Sequence, residues 1–174
     1  MSTLYVDNLQ PNLGSRVMAA GHVVQCVSTT KTDVFTTTSA SFVDIAGLSL
    51  AITPTLASSK VLVQVNVSLG GLDNYYAEFN LTRNGTTIGA YTGGGGTAGF
   101  MGQNSVNDYA RFYLDTPSNS FLDSPASTSS LTYQLQIASI NQSSASLYIN
   151  RTADQGNAVR CTGVSTLTLM EIAQ

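Results

Sequence analysis

The residues that could do chemistry in this chain are few and scattered. His22 is the only histidine among 174 residues, so a catalytic triad or an imidazole metal site would have to be built around it. Glycosidase chemistry would need two carboxylates about 5 to 9 Å apart. The candidate pairs are Asp108 with Asp115 and Asp73 with Glu78. A lone histidine at the start of a strand is usually a turn or interface residue, and these carboxylates are dispersed. We therefore predict that the chain is not an enzyme and has no catalytic residue.

The sequence contains no pattern typical of a metal or cofactor site. Residues 115–119 are the nearest match to a calcium loop, but they hold one carboxylate and lack the glycine-containing pattern of an EF-hand. Cys26 and Cys161 lack the spacing of metal ligands. They lie near the first and last predicted strands, which are often neighbours in a sandwich, so a disulfide between them is one alternative. The favoured alternative is two small buried thiols. We predict no metal and no cofactor.

Tyrosine is the aromatic residue that could contribute to binding. Rings with a hydroxyl offer an apolar face and a polar edge, which suits a sugar-stacking surface. Most of these tyrosines alternate within predicted strands, so packing in the core or between subunits is favoured over sugar binding. The tyrosines in question are Tyr75, Tyr76, Tyr91, Tyr109, Tyr113, Tyr133 and Tyr148.

The glycine-rich segment 92–104 is predicted to be a flexible surface loop. It has neither the Gly-Lys-Ser/Thr ending nor the following helix of a phosphate loop. Phe100 and Met101 are its only bulky apolar residues, and they would either tuck under the loop or contact another chain. The candidate exposed-loop contacts are Gly93, Gly94, Gly95, Gly96, Phe100 and Met101.

The elements that must position these residues are strands, and residues 35–71 show this most clearly. The segment alternates apolar and polar residues over two long stretches, which predicts two strands with one dry face each. The predicted inward residues are Leu48, Leu50 and Ile52 in the first strand, and Val61, Val63, Val65, Val67 and Leu69 in the second.

The rest of the chain continues the same pattern. Residues 75–83 alternate, and Asn84-Gly85 predicts a type I′ hairpin turn into residues 86–91. Residues 115–130 contain two prolines and are predicted to be a long loop. Further strands are predicted at 22–29, 33–37, 106–114, 131–140, 146–151 and 162–173.

These patterns together predict an all-β fold. Short runs of Val, Ile, Leu and Tyr, with only 10% charged residues, favour sheets over charge-laced helices. Roughly eight to ten strands joined by turns predict an antiparallel β-sandwich that is jelly-roll-like. Similar patterns fit other Greek-key sandwiches, so the strand order stays open.

Residues 1–21 differ from this pattern and are predicted to form a short irregular N-terminal arm for docking or assembly. Pro11, Gly14 and Gly21 interrupt them, and their apolar residues follow no sustained period. Residues 22–174 would then form the β-sandwich knob. The candidate docking residues of the arm are Leu4, Tyr5, Val6, Leu9, Leu13, Val17 and Met18.

The charge balance limits the classes of partner. A net charge of −3 and dispersed basic residues argue against nucleic-acid binding, which needs clustered Lys and Arg. No apolar run approaches the roughly 20 residues that span a bilayer, and the N-terminus lacks a signal-peptide pattern. Because isolated soluble domains usually carry about a quarter charged residues, a surface this poor in charge predicts burial against other subunits and hence an oligomer.

Three stretches also carry a family resemblance. They resemble small structural proteins and tail fibres of tailed bacteriophages, especially those of marine bacteria and cyanobacteria. The stretches are the sequence SFVDIAGLSLAITPT followed by SSKVLVQV, the opening MSTLYVDNLQPNLGSRVMAAGHVVQ and the closing STLTLMEIAQ. The resemblance covers both ends and the first half, while residues 72–160 match only in general character.

The resemblance implies a non-enzymatic virion protein, assembled in the bacterial host cytoplasm. It implies a short tail-fibre-type knob that forms a homotrimer, joins other virion proteins of tail or capsid through its arm, and contacts a host cell-surface glycan. A capsid decoration (cement) protein or a head fibre is the alternative. A carbohydrate-binding module, supported only by tyrosines and polar loops, is the remote one.

Overall fold

A computed structural model describes residues 19–72, 74–93, 99–105, 109–140, 145–154 and 161–174. Within these ranges the chain forms twelve strands and one 3-10 turn, Ala110–Phe112. The strands are β1 Val23–Lys31, β2 Phe35–Thr37, β3 Val43–Ile52, β4 Lys60–Asn66, β5 Leu69–Gly71, β6 Tyr75–Arg83, β7 Thr86–Ile88, β8 Met101–Ser105, β9 Ser118–Asp123, β10 Leu131–Ser139, β11 Leu147–Ile149 and β12 Ser165–Ile172.

The strands form two main antiparallel sheets and a short third one. The four-stranded sheet has the order β1-β12-β4-β9, and the five-stranded sheet has the order β3-β10-β6-β7, with β8 also paired to β6. β7 and β8 pair with successive parts of β6, so they act as one interrupted edge strand. A three-stranded sheet in the order β2-β11-β5 completes the structure.

The pairing scheme is that of a jelly roll. β1 pairs with β12, β3 with β10, β4 with β9 and β6 with β7, so the pairs are nested from the chain ends inward. Successive long strands alternate between the two sheets, as they do when a ribbon of antiparallel pairs is folded across itself into two Greek keys. The predicted antiparallel, jelly-roll-like sandwich is confirmed.

The strands of residues 35–71 form for the reason that their alternation predicts. Val61, Val63 and Val65 are at most 3% exposed, and the buried series continues through Val67 and Leu69, where the chain moves from β4 into the third sheet. In β3 the alternation shifts by one residue at Gly47, whose φ of 86° suits glycine. Ile45 and Leu48 are therefore both buried.

The predicted hairpin between β6 and β7 is also confirmed. Asn84 and Gly85 have φ angles of 49° and 79°, the two positive values that a type I′ turn requires. The following strand ends at Ile88, three residues earlier than predicted, because Gly89 turns away with a φ of 65°.

Two predictions in the middle of the chain are wrong. Residues 106–114 were expected to form a strand, but the strand is β8, and Ala110–Phe112 form a 3-10 turn that packs on β5. Residues 115–130 were expected to form a loop, but they contain β9, which pairs with β4. Both β8 and β9 are polar edge strands with little apolar content. They become strands because the backbone groups of a neighbouring strand are free to pair with them.

Two buried-side carboxylates link strands of different sheets. Asp123 at the end of β9 accepts hydrogen bonds from the Tyr133 hydroxyl at 2.7 Å and the Arg83 guanidinium at 2.5 Å, both on the opposite sheet. Asp115 accepts a short hydrogen bond from the Tyr75 hydroxyl on β6. The Asp123 links join the two main sheets face to face, whereas Asp115, which is bridged to Leu69 of β5, ties β6 to the third sheet.

The cysteines differ from expectation. Cys26 and Cys161 are both free thiols, and both are exposed and not buried. Cys26 pairs with Met170 on β12, which confirms that the first and last strands are neighbours, but its side chain points away from the core.

Candidate functional site

The residues proposed from sequence as docking or loop contacts are placed as follows. The arm residues Leu4 to Met18 lie outside the described residues, so the arm stays a prediction. Only its end is described: the Gly21 amide donates to the Ala173 carbonyl at 2.8 Å, which extends the pairing of the first strand with the last.

The glycine-rich segment is partly described. Gly93 is exposed, whereas Gly94, Gly95 and Gly96 lie outside the described residues. Phe100 is only 6% exposed, and its amide donates to the Phe79 carbonyl at 2.6 Å. Met101 begins β8 and packs partly buried against the core. The prediction of Phe100 as an exposed contact is therefore wrong, because its ring is buried and the segment returns to the sheet at this point.

Each candidate catalytic pair has only one member among the described residues, so both pairs stay untested. Asp115 is engaged by Tyr75, and the Glu78 side chain lies against the backbone of Gly99 and Gly102. Asp73 and Asp108 lie outside the described residues. Among the described residues there is no group of three His, Cys, Asp or Glu side chains that could hold a metal ion, and no helix is long and apolar enough to cross a membrane.

The tyrosines divide between core and surface. Tyr75 and Tyr133 are at most 1% exposed, as core packing predicts. The pKa of both hydroxyls is raised well above its usual range. Burial is the larger cause, and the hydrogen bonds to Asp115 and Asp123 are the smaller one. Tyr91, Tyr109 and Tyr113 are instead at least 60% exposed, so they do not pack in the core.

The outer surface of the four-stranded sheet is the candidate site. Because antiparallel partners share a face, the register places twelve outward residues in three rows across β1, β12, β4 and β9. We call this surface the neutral face. Its rows are Thr30, Thr166, Asn66 and Ser118; Ser28, Thr168, Gln64 and Ser120; and Cys26, Met170, Leu62 and Leu122.

None of the twelve residues is charged at neutral pH, and the three rows divide into two regions. The first two rows hold only hydroxyl and amide side chains, and their members on β12, β4 and β9 line a hollow of about 540 Å³. The third row is apolar apart from the thiol of Cys26, and its Leu122 is 48% exposed. We call these regions the polar hollow and the apolar row.

The side chains of the polar hollow are mostly without partners among the described residues. The link within this face is between the Ser28 and Thr168 hydroxyls at 2.9 Å. Within the described ranges, the side chains of Gln64, Asn66 and Ser118 make no hydrogen bond, and neither do those of Ser120 and Thr166. Their donors and acceptors are therefore available to a ligand or a partner.

The outer face of the five-stranded sheet is arranged differently. Gln136 donates to Asp44 and accepts from Asn80, both at 2.8 Å, and Asn80 also donates to Thr87 at 3.0 Å. This chain of side chains crosses β3, β10, β6 and β7, and we call the surface the ladder face. Most polar groups here bind one another, and among the described residues the buried Asn80 Oδ1 is left without a hydrogen-bond partner. The ladder face therefore offers fewer exposed donors and acceptors to a partner than the neutral face does.

Two glutamates have opposite electrostatic environments. Burial raises the pKa of Glu78 on the ladder face. Glu171 on the inner side of β12 is fully buried, and burial likewise opposes its ionisation. Hydrogen bonds from Gln25 at 2.6 Å and from the Thr55 amide and hydroxyl at 2.8 Å outweigh this and lower its pKa. Glu171 thus holds the β3–β4 connection against the four-stranded sheet as an ion.

The sequence predictions missed the neutral face because one of its strands was taken for a loop. Ser118, Ser120 and Leu122 belong to β9. The available signal was weak: of the seven residues between Pro117 and Pro125, only the neighbours Phe121 and Leu122 are apolar, so no alternation marks a strand. Proline at the start of an edge strand fits that strand, since it has no ladder hydrogen bond to lose there.

No protein-family model matches the chain, and no curated protein matches it. Among solved structures, the chain is similar to the VP2 subviral particle of infectious bursal disease virus, with 13% identity and a TM-score of 0.44 over 98% of this chain and 46% of that one. It is also similar to a structure of the Gx strain of infectious bursal disease virus, with 13% identity and a TM-score of 0.40 over 98% and 47%. The chain spans less than half of either protein. The jelly-roll assignment rests on the strand pairing and not on these similarities.

Proposed function

We propose that this chain is a non-enzymatic structural protein of a virion, a jelly-roll knob of the short tail-fibre type that assembles as a homotrimer. Residues 1–21 would attach the knob to other virion proteins. The resemblance of the opening, central and closing stretches to phage structural proteins supports the virion assignment. The neutral face is the observation that supports assembly.

The apolar row is the part of the neutral face that suits a subunit contact. Met170, Leu62 and Leu122 lie side by side on three strands and are themselves uncharged, while Lys60, the next outward residue of β4, marks the charged edge of this row. Burial of such residues stabilises an interface by roughly 25 cal/mol per Å². A charged face would instead lose hydration on assembly, which is why charged residues are depleted at interface centres.

The size of the apolar row indicates that a second contact must contribute. Four strands about 4.8 Å apart and one row of outward side chains give a surface of roughly 130 Å², and the polar hollow beside it stays uncovered. A stable interface usually buries about 800 Å² per partner. We infer that the apolar residues of the arm supply the remainder, against a neighbouring subunit or the particle.

The oligomeric state tests the proposal. Light scattering with size-exclusion chromatography should give three times the 18.3 kDa mass of the monomer for the natural chain. Leu122→Lys should give a folded monomer, because a cation on the apolar row would be desolvated on assembly. Ala51→Lys is the matched control, since Ala51 is an exposed residue of an edge strand on the other sheet. A monomeric natural chain, or a trimeric Leu122→Lys variant, would refute the assembly role of this face.

Attachment is tested separately with a chain that lacks residues 1–18. The truncation keeps the Gly21–Ala173 hydrogen bond, so the knob should still fold and assemble. It should be missing from purified particles. Copy number per particle then separates a tail-fibre knob from the alternative, a capsid decoration protein, which would be present in numbers matched to the capsid lattice.

A further inference from the structure

We propose that the polar hollow of the neutral face binds an uncharged oligosaccharide. The hollow of about 540 Å³ lies on three adjacent strands, β12, β4 and β9, beside the apolar row. Its volume falls within the roughly 300 to 1,000 Å³ that is usual for ligand sites. The side chains that would contact the sugar are Gln64, Asn66, Ser118, Ser120, Thr166 and Thr168.

The chemistry of these side chains matches that of a sugar. Every amide and hydroxyl group both donates and accepts hydrogen bonds, as sugar hydroxyls do. Apart from Thr168, which bonds to Ser28, they make no side-chain hydrogen bond within the described part of the chain. A bound oligosaccharide would satisfy several of them at once, in exchange for water.

The absence of charge among the twelve residues of the neutral face sets the class of sugar. Binding a carboxylated or sulfated sugar would desolvate an anion without a cation to pair with it. An uncharged sugar has no such cost. The ligand is therefore expected to be a neutral glycan and not a sialylated or sulfated one.

The hollow is rigid, which favours specific binding. Its lining side chains stand on strands that are anchored from behind by Val63, Val65 and Leu167, each at most 3% exposed. Asn119 at its rim is fixed by donating to the Phe100 carbonyl at 3.0 Å. Among the described residues no aromatic ring lines the hollow, so the proposed affinity rests on hydrogen bonds. One site should bind with a Kd in the millimolar range, and three sites in the proposed trimer would add avidity.

The site is tested with soluble oligosaccharides and the full chain. Saturation-transfer NMR against neutral trisaccharides of glucose, galactose and N-acetylglucosamine should show binding of at least one, and no binding of sialylated or sulfated counterparts. Replacing both Gln64 and Asn66 with Ala should weaken binding at least tenfold. Ser49→Ala on the exposed surface of β3 is the matched control and should bind normally.

The outcomes separate this inference from the proposed function. Failure of all three neutral trisaccharides to bind at 10 mM, binding of the charged sugars alone, or normal binding by the double variant would overturn the sugar site. The oligomeric state of the same variants is measured in parallel. Sugar binding by a chain that proves monomeric would keep this site while refuting the proposed trimer.

Discussion

The two outer faces of this sandwich contain similar residue types but use them differently. On the ladder face, Asp44, Gln136, Asn80 and Thr87 bind one another across four strands. On the neutral face, side chains of the same kinds stand in register without binding one another, apart from the Ser28–Thr168 pair. Polar groups that are paired within the chain contribute to folding, whereas unpaired and exposed ones remain available for binding. This difference is the reason that we propose the neutral face as the surface that meets other molecules.

The two outer faces keep their arrangement only while the two sheets stay packed on each other. Asp123 is expected to contribute most to this packing. Asp123→Asn should lower the free energy of unfolding by about 3 kcal/mol, because it removes the charge that Arg83 and Tyr133 bind across the core. Urea denaturation measures the change. Tyr133→Phe, which removes one of the two hydrogen bonds, should cost about half as much. A loss below about 1 kcal/mol for Asp123→Asn would mean that the sheets do not depend on this link.

A matched pair of substitutions tests the contrast between the faces directly. Gln136→Leu interrupts the ladder between Asp44 and Asn80 and should lower the free energy of unfolding by about 1 to 2 kcal/mol. Gln64→Leu on the neutral face breaks no hydrogen bond among the described residues and should change it by less than about 0.5 kcal/mol. Equal losses in the two variants, measured by urea denaturation, would remove the distinction.

The smallest expected effect is on the pH dependence of stability, where two glutamates act in opposite directions. The lowered pKa of Glu171 means that its contribution is present above its ordinary pKa near 4.5 and is lost as pH falls through the lower, folded value. The raised pKa of Glu78 means that its contribution is present below pH 4.5 and is lost as pH rises through the higher, folded value. Neither carboxylate lies on the neutral face.

Melting temperatures between pH 3 and pH 7 check these signs. Glu171→Gln should reduce the loss of stability at acid pH relative to the natural chain. Glu78→Gln should reduce the loss on the rise from pH 4.5 towards neutrality. The reverse pattern in either variant would contradict the environments described for these side chains.

Residues 35–83 show how much of the fold can be predicted from local patterns. The inward positions of β4, the strand at β6 and the turn at Asn84-Gly85 were predicted correctly, since alternation and positive φ are properties of neighbouring residues. The shift at Gly47 was not predicted. It depends on Gln134 of β10, whose amide donates to the Ile45 and Leu48 carbonyls, each at 3.2 Å.

The candidate site was largely beyond such reasoning. Strands near β1, β4 and β12 were predicted from alternation, but β9, the edge strand of the neutral face, was not. β9 carries few apolar residues, and its pairing with β4 makes it a strand. The loop residue Phe100 was taken for an exposed contact because its burial depends on the path of the chain back to β6.

By itself, the sequence determined the all-β class, the inward residues of the long strands and the scarcity of charge. These features follow from residue type and from a period of two along the chain. Only the tertiary structure decided that uncharged residues from four strands share one surface. Ser28 and Thr168, 140 positions apart, meet there because the nested pairing joins the first strand to the last. Alternation is local, whereas strand order and register arise from contacts between distant segments.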